Sequence, residues 1–294
     1  MKKIYIAGAG GMLGEAFYNV FKTDFLLKCS DIDQNSDWLS YLDFRDFEKY
    51  KTDVLNFKPD YLFHLGAITD LEQCEKDEKN AYLTNTLSVE NAVIISNILD
   101  IPIIYISTAG IFDGKKDYYD DWDLPNPISI YGKSKYLGER YVIENKNNYL
   151  VLRAGWMMGG GIKKDKKFIK KIITQINNGK TNLNIVDDKF GTPTYTYDFA
   201  ENAKLLLNKE LWGLYNLVCS GLSSRLDVTA EILKLLKLEN KISIKKVDSS
   251  FFSDEYFAKR PLSERLINRK LELRKLNIMR DWKIALKEYL EKEF

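Results

Sequence analysis

The sequence predicts an α/β protein: a Rossmann-type doubly wound parallel sheet with a smaller C-terminal α/β substrate lobe. Three observations predict it. Short apolar runs alternate with longer amphipathic ones through the first half of the chain, the order that gives parallel strands with helices on both faces. A glycine turn, Gly8-Ala9-Gly10-Gly11-Met12-Leu13-Gly14, follows the first apolar run and opens the first amphipathic one. Tyr131 and Lys135 stand four residues apart in a later amphipathic stretch, which places them on one face of a helix.

The elements follow in order. Strands are expected at residues 4–7, 25–29, 61–65, 101–106 and 149–152, with helices at 12–21, 47–57, 81–99 and 131–144. Ile103-Ile104-Tyr105-Ile106 is apolar throughout, as parallel strands buried on both faces are. Beyond about residue 155 the alternation loosens. Helices are expected at 168–176, stopped by Asn177-Asn178-Gly179, and at 198–207, 226–236 and 281–291; strands are expected at 184–186 and 214–218. No repeat and no linker rich in Pro, Gly or Ser interrupts the chain. The expected organisation is a dinucleotide-binding domain over 1–155, with part of 190–220 returning to it, and a mainly substrate-binding lobe over 156–294.

Composition excludes several classes. The 294 residues are 45% hydrophobic and 29% charged with a formal net charge of +2, which fits a soluble globular protein and argues for neither nucleic acid nor a membrane surface as partner. The cluster Lys163-Lys164-Asp165-Lys166-Lys167 reads as a solvated helix start. Cys29, Cys74 and Cys219 form no C-x-x-C pair, so neither a zinc site nor a disulfide framework is expected, and reduced thiols point to the cytoplasm. Met1-Lys2-Lys3 is followed by too short an apolar run for a signal peptide. No stretch approaches the roughly 18 apolar residues of a membrane span. His64, the only histidine, reads as a strand-end side chain with one satisfied bond. Asp187-Asp188 reads as a solvated turn, and no metal site is expected.

The chemistry begins with the glycine turn. Gly8, Gly11 and Gly14 follow a strand and open a helix, the context of a dinucleotide site. Their spacing is G-x-x-G-x-x-G. Glycine lets the backbone approach a pyrophosphate, and the helix N-terminus offers free N–H groups to it. Asp31, at the end of the second strand, can accept bonds from the adenosine ribose hydroxyls and would repel a 2′-phosphate; this leans towards NADH. Asp43 either meets the adenine amino group or caps the helix starting near Arg45. At the other site, the Lys135 ammonium near the Tyr131 phenol is expected to lower the tyrosine pKa from its usual value of about 10.

With these residues in place, the chain resembles an extended short-chain dehydrogenase/reductase and, more narrowly, the dTDP-4-dehydrorhamnose reductase family. The markers run over nearly the whole length: the glycine turn, Thr69 with Glu72 and Glu75, Asn85, Ser107-Thr108, Phe112-Asp113-Gly114, Tyr131-Gly132-Lys133-Ser134-Lys135 with Gly138-Glu139, Arg153 with Trp156, Asp188 to Thr194, and Arg260-Pro261 with Arg265-Leu266. The resemblance implies a cofactor, NADPH or NADH, held by Gly8, Gly11, Met12, Leu13, Asp31, Asp43, Phe44, Gly66, Ala67, Tyr131 and Lys135. It implies that Thr108 bonds the reacting carbonyl, that Tyr131 donates the proton, and that Lys135 holds the nicotinamide ribose and tunes Tyr131. A nucleotide-sugar substrate would lie against Ala109, Gly110, Trp156, Phe190, Thr192, Pro193 and Arg260. A homodimer is also consistent with the resemblance.

The departures concern the substrate side. The family usually has Asp-Tyr after the threonine; here Ala109-Gly110 stand there, so the pocket is expected to be roomier and less polar on that side. Ser263 stands where the family's Arg-Pro-x-Asn-Ser segment has Asn, and Lys167 precedes Phe168 where Asn is frequent. The expected function is NAD(P)H-dependent reduction of a 4-keto-6-deoxy sugar nucleotide in deoxysugar or surface polysaccharide biosynthesis. Two alternatives stand beside it: a sugar-nucleotide epimerase or dehydratase of the same superfamily, and a non-catalytic subunit like the regulatory subunit of methionine adenosyltransferase.

Overall fold

In the computed structural model, which describes residues 1–294, chain order gives strands β1 (Lys3–Ala7), β2 (Leu26–Asp31), β3 (Leu39–Tyr41), β4 (Tyr61–His64), β5 (Ile103–Thr108) and β6 (Tyr149–Ala154). After them come β7 (Trp156–Met158), β8 (Asn182–Val186), β9 (Phe190–Gly191), β10 (Pro193–Tyr195), β11 (Gly213–Asn216), β12 (Ser223–Ser224), β13 (Ser243–Val247) and β14 (Ser263–Glu264). Seven of them form one sheet in the order β11-β6-β5-β4-β1-β2-β3, with every neighbouring pair parallel. All four residues of β4 are buried, and five of the six in β5, as their apolar sequences demand. Parallel register brings Ala7 beside His64, His64 beside Tyr105, and Thr108 beside Ala154. These carboxyl ends form the edge at which open parallel sheets bind ligands.

The strands expected in the first half are present, shifted by a few residues. β3 was not expected, because three residues carry too little pattern to read. The helix expected over 81–99 is instead a helix Glu78–Tyr82, a π turn Leu83–Leu87 and a helix Ser88–Ile98. Such π turns are frequent at functional sites, and this one presents Asn85. Its Oδ1 accepts from the Ile68 N–H (2.8 Å), while its Nδ2 donates to the Ile68 carbonyl (3.0 Å) and to Ser134 Oγ (3.1 Å). One side chain thus ties the loop after β4 to the helix that carries Tyr131.

The second half is interleaved with the first. β11 pairs with β6 at the edge of the large sheet, and the helix Thr196–Asn208 packs on the helix Met12–Phe21 through Phe199 and Phe17, with ring centroids 6.3 Å apart. A core of 44 buried apolar residues runs from Ile4 to Leu290, so both halves share it. The remaining short strands form the sets β12-β9-β14, β10-β7 and β13-β8. No helix is long and apolar enough to cross a membrane.

Two buried polar features hold the interior in register. His64 has two partners where one was expected. Ser88 Oγ donates to the Thr84 carbonyl (2.6 Å) and so accepts from His64 Nε2 (3.1 Å), leaving Nδ1 to accept from Tyr50 Oη (3.3 Å). Burial holds this imidazole neutral, with its pKa lowered to about 3. Between β6 and the helix Ile130–Asn145, Arg153 grips Glu139, with Nη2 to Oε1 at 2.6 Å and Nε to Oε2 at 3.1 Å. The two side chains are 4% and 1% exposed. Removing one partner of such a pair leaves a buried charge without its counter-charge. Glu139→Ala is therefore expected to lower stability by about 3–5 kcal/mol in urea denaturation; a loss below about 1 kcal/mol, the range of exposed pairs, would contradict this role.

Candidate active site

The glycine turn is shaped by close approaches. Gly8 (φ +76°) lies so near Gly66 that a Cβ on it would sit 2.2 Å from the Gly66 Cα, and one on Gly14 would sit 2.1 Å from the Ala9 carbonyl oxygen. Gly11 differs: no atom lies within 4 Å of its Cβ position. It also starts the helix Met12–Phe21 without any side-chain cap. The first N–H groups of that helix therefore face an open cradle, the arrangement that receives phosphates. Met12 is half-buried and Leu13 is buried behind them.

At the adenosine side, Asp31 accepts from the Gly10 N–H (2.8 Å) and the Asp33 N–H (2.9 Å), which aims its carboxylate at the turn. Asp43 does not cap the next helix. Asp46 does, accepting from the Lys49 N–H, while Asp43 is clasped by the Arg45 guanidinium at 2.6 and 2.8 Å, which holds its carboxyl below the usual range. Phe44 is a buried wall whose ring lies against Gly66; a Cβ on Gly66 would meet it at 2.2 Å. Ala67 is half-buried beside it.

Thr108 and Tyr131 come together at the end of β5, and Lys135 follows one turn along the helix that carries Tyr131. Ser129 caps the helix Ile130–Asn145, accepting from the Gly132 N–H (3.1 Å), and Glu75 accepts from the Ile130 N–H (2.9 Å). Gly132 is seated against Gly110: its Cβ would lie 2.3 Å from the Gly110 carbonyl oxygen. The Cβ position of Gly110 in turn lies 3.3 Å from the Tyr131 ring and 3.5 Å from Thr108 Oγ1. Thr108 Oγ1 accepts from the Gly110 N–H (3.1 Å), which leaves its own O–H to donate on the Tyr131 side.

The proton equilibria differ from expectation. Burial pushes the Tyr131 phenol up to about 12, with the Thr108 hydroxyl offsetting part of the rise. Lys135 does not lower it. The amine of Lys135 lies over the Tyr105 ring, 4.2 Å from its centroid, and burial brings its own pKa down to about 7 against the opposing pull of Glu139. Desolvation thus outweighs the charge effect that the i, i+4 spacing suggested. Tyr131 is a neutral phenol near pH 7, a proton donor. Lys135, 3% exposed, is left with an aromatic face as its contact, and its N–H groups suit ribose hydroxyls. The open cradle at Gly11 and this amine fit a nicotinamide dinucleotide. No group of three or more His, Cys, Asp or Glu side chains is placed to hold a metal.

On the substrate side, Trp156 lies half-buried on Gly191, where a Cβ would strike its ring at 2.1 Å, and its Nε1–H donates to Glu264 Oε2 (2.8 Å). The Arg225 guanidinium stacks on the Trp156 ring at 3.6 Å and on Phe168 at 4.5 Å. Phe190 carries Arg265 on its ring at 4.5 Å. Other expected substrate residues are directed elsewhere. Ala109, 1% exposed, belongs to an apolar cluster with Phe112 and Leu266. Thr192 is buried, its Oγ1 accepting from the Leu266 N–H (3.1 Å), and Pro193 is buried in the strand that pairs with Trp156. Arg260 forms a two-pronged pair with Glu72 at 2.7 Å on each side. With Lys167 Nζ donating to Thr69 Oγ1 (3.0 Å), it clasps the second lobe to the loop after β4 and the helix Leu71–Lys76 that follows it. Glu264 and Arg225 were not foreseen. Glu264 lies inside the Arg260 to Leu266 segment that was singled out, whereas Arg225 starts an ordinary helix and carries no local signal.

Comparison with known proteins shows the family. The spore coat polysaccharide biosynthesis protein SpsK of Bacillus subtilis is 30% identical over 295 residues, covering 99% of this chain and 98% of that one. The crystal structure of dTDP-4-dehydrorhamnose reductase from Yersinia enterocolitica superposes with a TM-score of 0.88 at 32% identity over 100% of both chains. That of the Bacillus anthracis dTDP-4-dehydrorhamnose reductase, in complex with NADP, gives 0.89 at 27% identity, covering 99% of this chain and 100% of that one. A model of the RmlD substrate binding domain family matches residues 1–294, and the chain belongs to that family.

Proposed function

We propose that the chain reduces the C4 ketone of a 4-keto-6-deoxy sugar carried on a nucleoside diphosphate, with NADH or NADPH as reductant, in the making of a deoxysugar for a surface polysaccharide. The observation that carries this reading is the neutral phenol of Tyr131 beside the Thr108 hydroxyl at the carboxyl end of β5. The relatives named above as dTDP-4-dehydrorhamnose reductases support the substrate class.

The turn at Gly8–Gly14 would hold the pyrophosphate, Asp31 the adenosine ribose, and Lys135 the nicotinamide ribose. When bound, the nicotinamide supplies the hydride. Reduction builds negative charge on the ketone oxygen. Tyr131 Oη donates its proton there and Thr108 Oγ1 gives a second hydrogen bond. A phenol whose pKa is raised keeps its proton until that charge develops. Trp156 and the stacked Arg225 would form the wall of the sugar-nucleotide pocket.

One observation favours a second reading. Glu264 brings a carboxylate to a site where the chain has none beside Thr108, and a dehydratase of this superfamily needs such a group. The two readings separate on cofactor balance. A panel of 4-keto-6-deoxy sugar nucleotides and of the nucleotide hexoses that would give them by loss of water, each with NADH and NADPH, is expected to show one cofactor oxidised per ketone reduced; loss of water from a hexose without net oxidation would reject the reductase. Tyr131→Phe is expected to lower kcat by about 10²–10⁴ while cofactor titration is unchanged, and near-normal turnover would remove Tyr131 from its role. Asp31→Asn keeps an acceptor for the Gly10 N–H and removes the charge. It is expected to improve KM for NADPH relative to NADH by about tenfold, equivalent to ~1.4 kcal/mol; an unchanged ratio would show that Asp31 does not face the ribose.

A further inference from the structure

We infer that Glu264 reads a hydroxyl on the sugar carbon next to the ketone, which in a 4-keto-6-deoxy sugar is the C3 hydroxyl. The inference rests on the reductase reading above and deepens it. β14 pairs with β9 in parallel so that Glu264 stands beside Gly191, and Gly191 lies directly under the Trp156 ring. Register therefore delivers the carboxylate to the Trp156 edge, where the indole N–H holds Oε2 at 2.8 Å. That bond anchors one oxygen of the carboxylate. The other oxygen, Oε1, has no protein partner and is turned inward, 3.5 Å from the Cβ position of Gly110.

Gly110 makes this reach useful. The point where its Cβ would stand is also 3.5 Å from Thr108 Oγ1 and 3.3 Å from the Tyr131 ring. Any larger side chain would fill the gap between the proton donor and Oε1. With glycine, Thr108, Tyr131 and Oε1 border one small space with no side chain of residue 110 between them. The wall expected to be less polar carries a carboxylate supplied from the second lobe. Gly110 and Glu264 act as one feature built from two distant segments.

The group that meets Oε1 follows from chemistry. Thr108 and Tyr131 take the ketone oxygen, so Oε1 faces a substituent on a neighbouring carbon. In a 4-keto-6-deoxy sugar C5 carries a methyl group, which leaves the hydroxyl on C3. A neutral hydroxyl suits the site better than an ammonium, because the Arg225 guanidinium stacked on Trp156 interacts with Glu264 and offsets its charge. A hydrogen bond to a carboxylate is among the stronger neutral-donor contacts.

The test compares a 4-keto-6-deoxy sugar nucleotide bearing the C3 hydroxyl with its 3-deoxy analogue, using wild type, Glu264→Ala and Glu264→Gln. Glu264→Ala is expected to lower kcat/KM for the hydroxyl substrate by about 10–100-fold, chiefly through KM, and to change the 3-deoxy substrate by less than about threefold. Glu264→Gln keeps the shape and one acceptor and is expected to fall between. Equal losses on both substrates would mean that Glu264 only holds Trp156, and would overturn the assignment alone. A wild-type chain that reduces neither sugar would overturn the reductase reading and this assignment with it.

Discussion

Close seating of the helix Ile130–Asn145 at the end of β5 governs the site. Gly132 meets the Gly110 carbonyl, and Gly138 leaves so little room that a Cβ would stand 2.7 Å from the Asn85 carbonyl oxygen and 2.9 Å from Tyr105 Oη. The contact is reinforced by Asn85 from the π turn and by the buried Glu139–Arg153 pair. Its consequence is desolvation. The same packing that fixes where Tyr131 and Lys135 stand raises the one pKa and lowers the other, so both side chains lean towards their uncharged forms. A neutral acid and a partly neutral amine are what a reductase site of this kind can use: the first keeps a proton to give, the second adapts to whatever hydroxyls reach it.

The substrate side is organised by a different constraint, the stacking of Trp156 on Gly191. That ring is a platform for charges of both signs: Arg225 on its face and Glu264 at its edge. Both come from the second half of the chain, while Thr108, Gly110 and Tyr131 come from the first. The Arg260–Glu72 and Lys167–Thr69 contacts hold these two contributions at a set distance. Chemistry therefore resides in the parallel sheet and its helix, and recognition in short strands whose register sets which side chains cross the cleft.

Much of this was legible in the sequence, for physical reasons that differ by element. Parallel strands buried on both faces are continuous apolar runs, so β1, β4 and β5 stand out. The helices Met12–Phe21 and Phe47–Phe57 have clear starts and apolar stripes. β9, β12 and β14 have two residues each and exist only through their partners, so no local pattern marks them. Distance in sequence hid Glu264 in the same way, since nothing near Gly110 indicates that residue 264 reaches it. The spacing of Tyr131 and Lys135 was read correctly as one helix face, but the direction of the tyrosine shift was not. Spacing reports proximity of charges, whereas burial against β5, Tyr105 and Gly110 is set by tertiary packing.

Lys135 carries the clearest signature of that burial. An unfolded lysine keeps its proton to about 10.4, so between pH 7 and that value the unfolded chain binds more protons than the folded one, and stability contributed by this site rises with pH across that window. The most direct measurement is the titration of the Lys135 side-chain nitrogen by NMR in the cofactor-free protein, assigned with a Lys135→Met control. A midpoint of about 7 is the expected result. A midpoint near the ordinary lysine value of about 10.4 would contradict the account, because the site would then be solvated and the phenol of Tyr131 would stand beside a full positive charge.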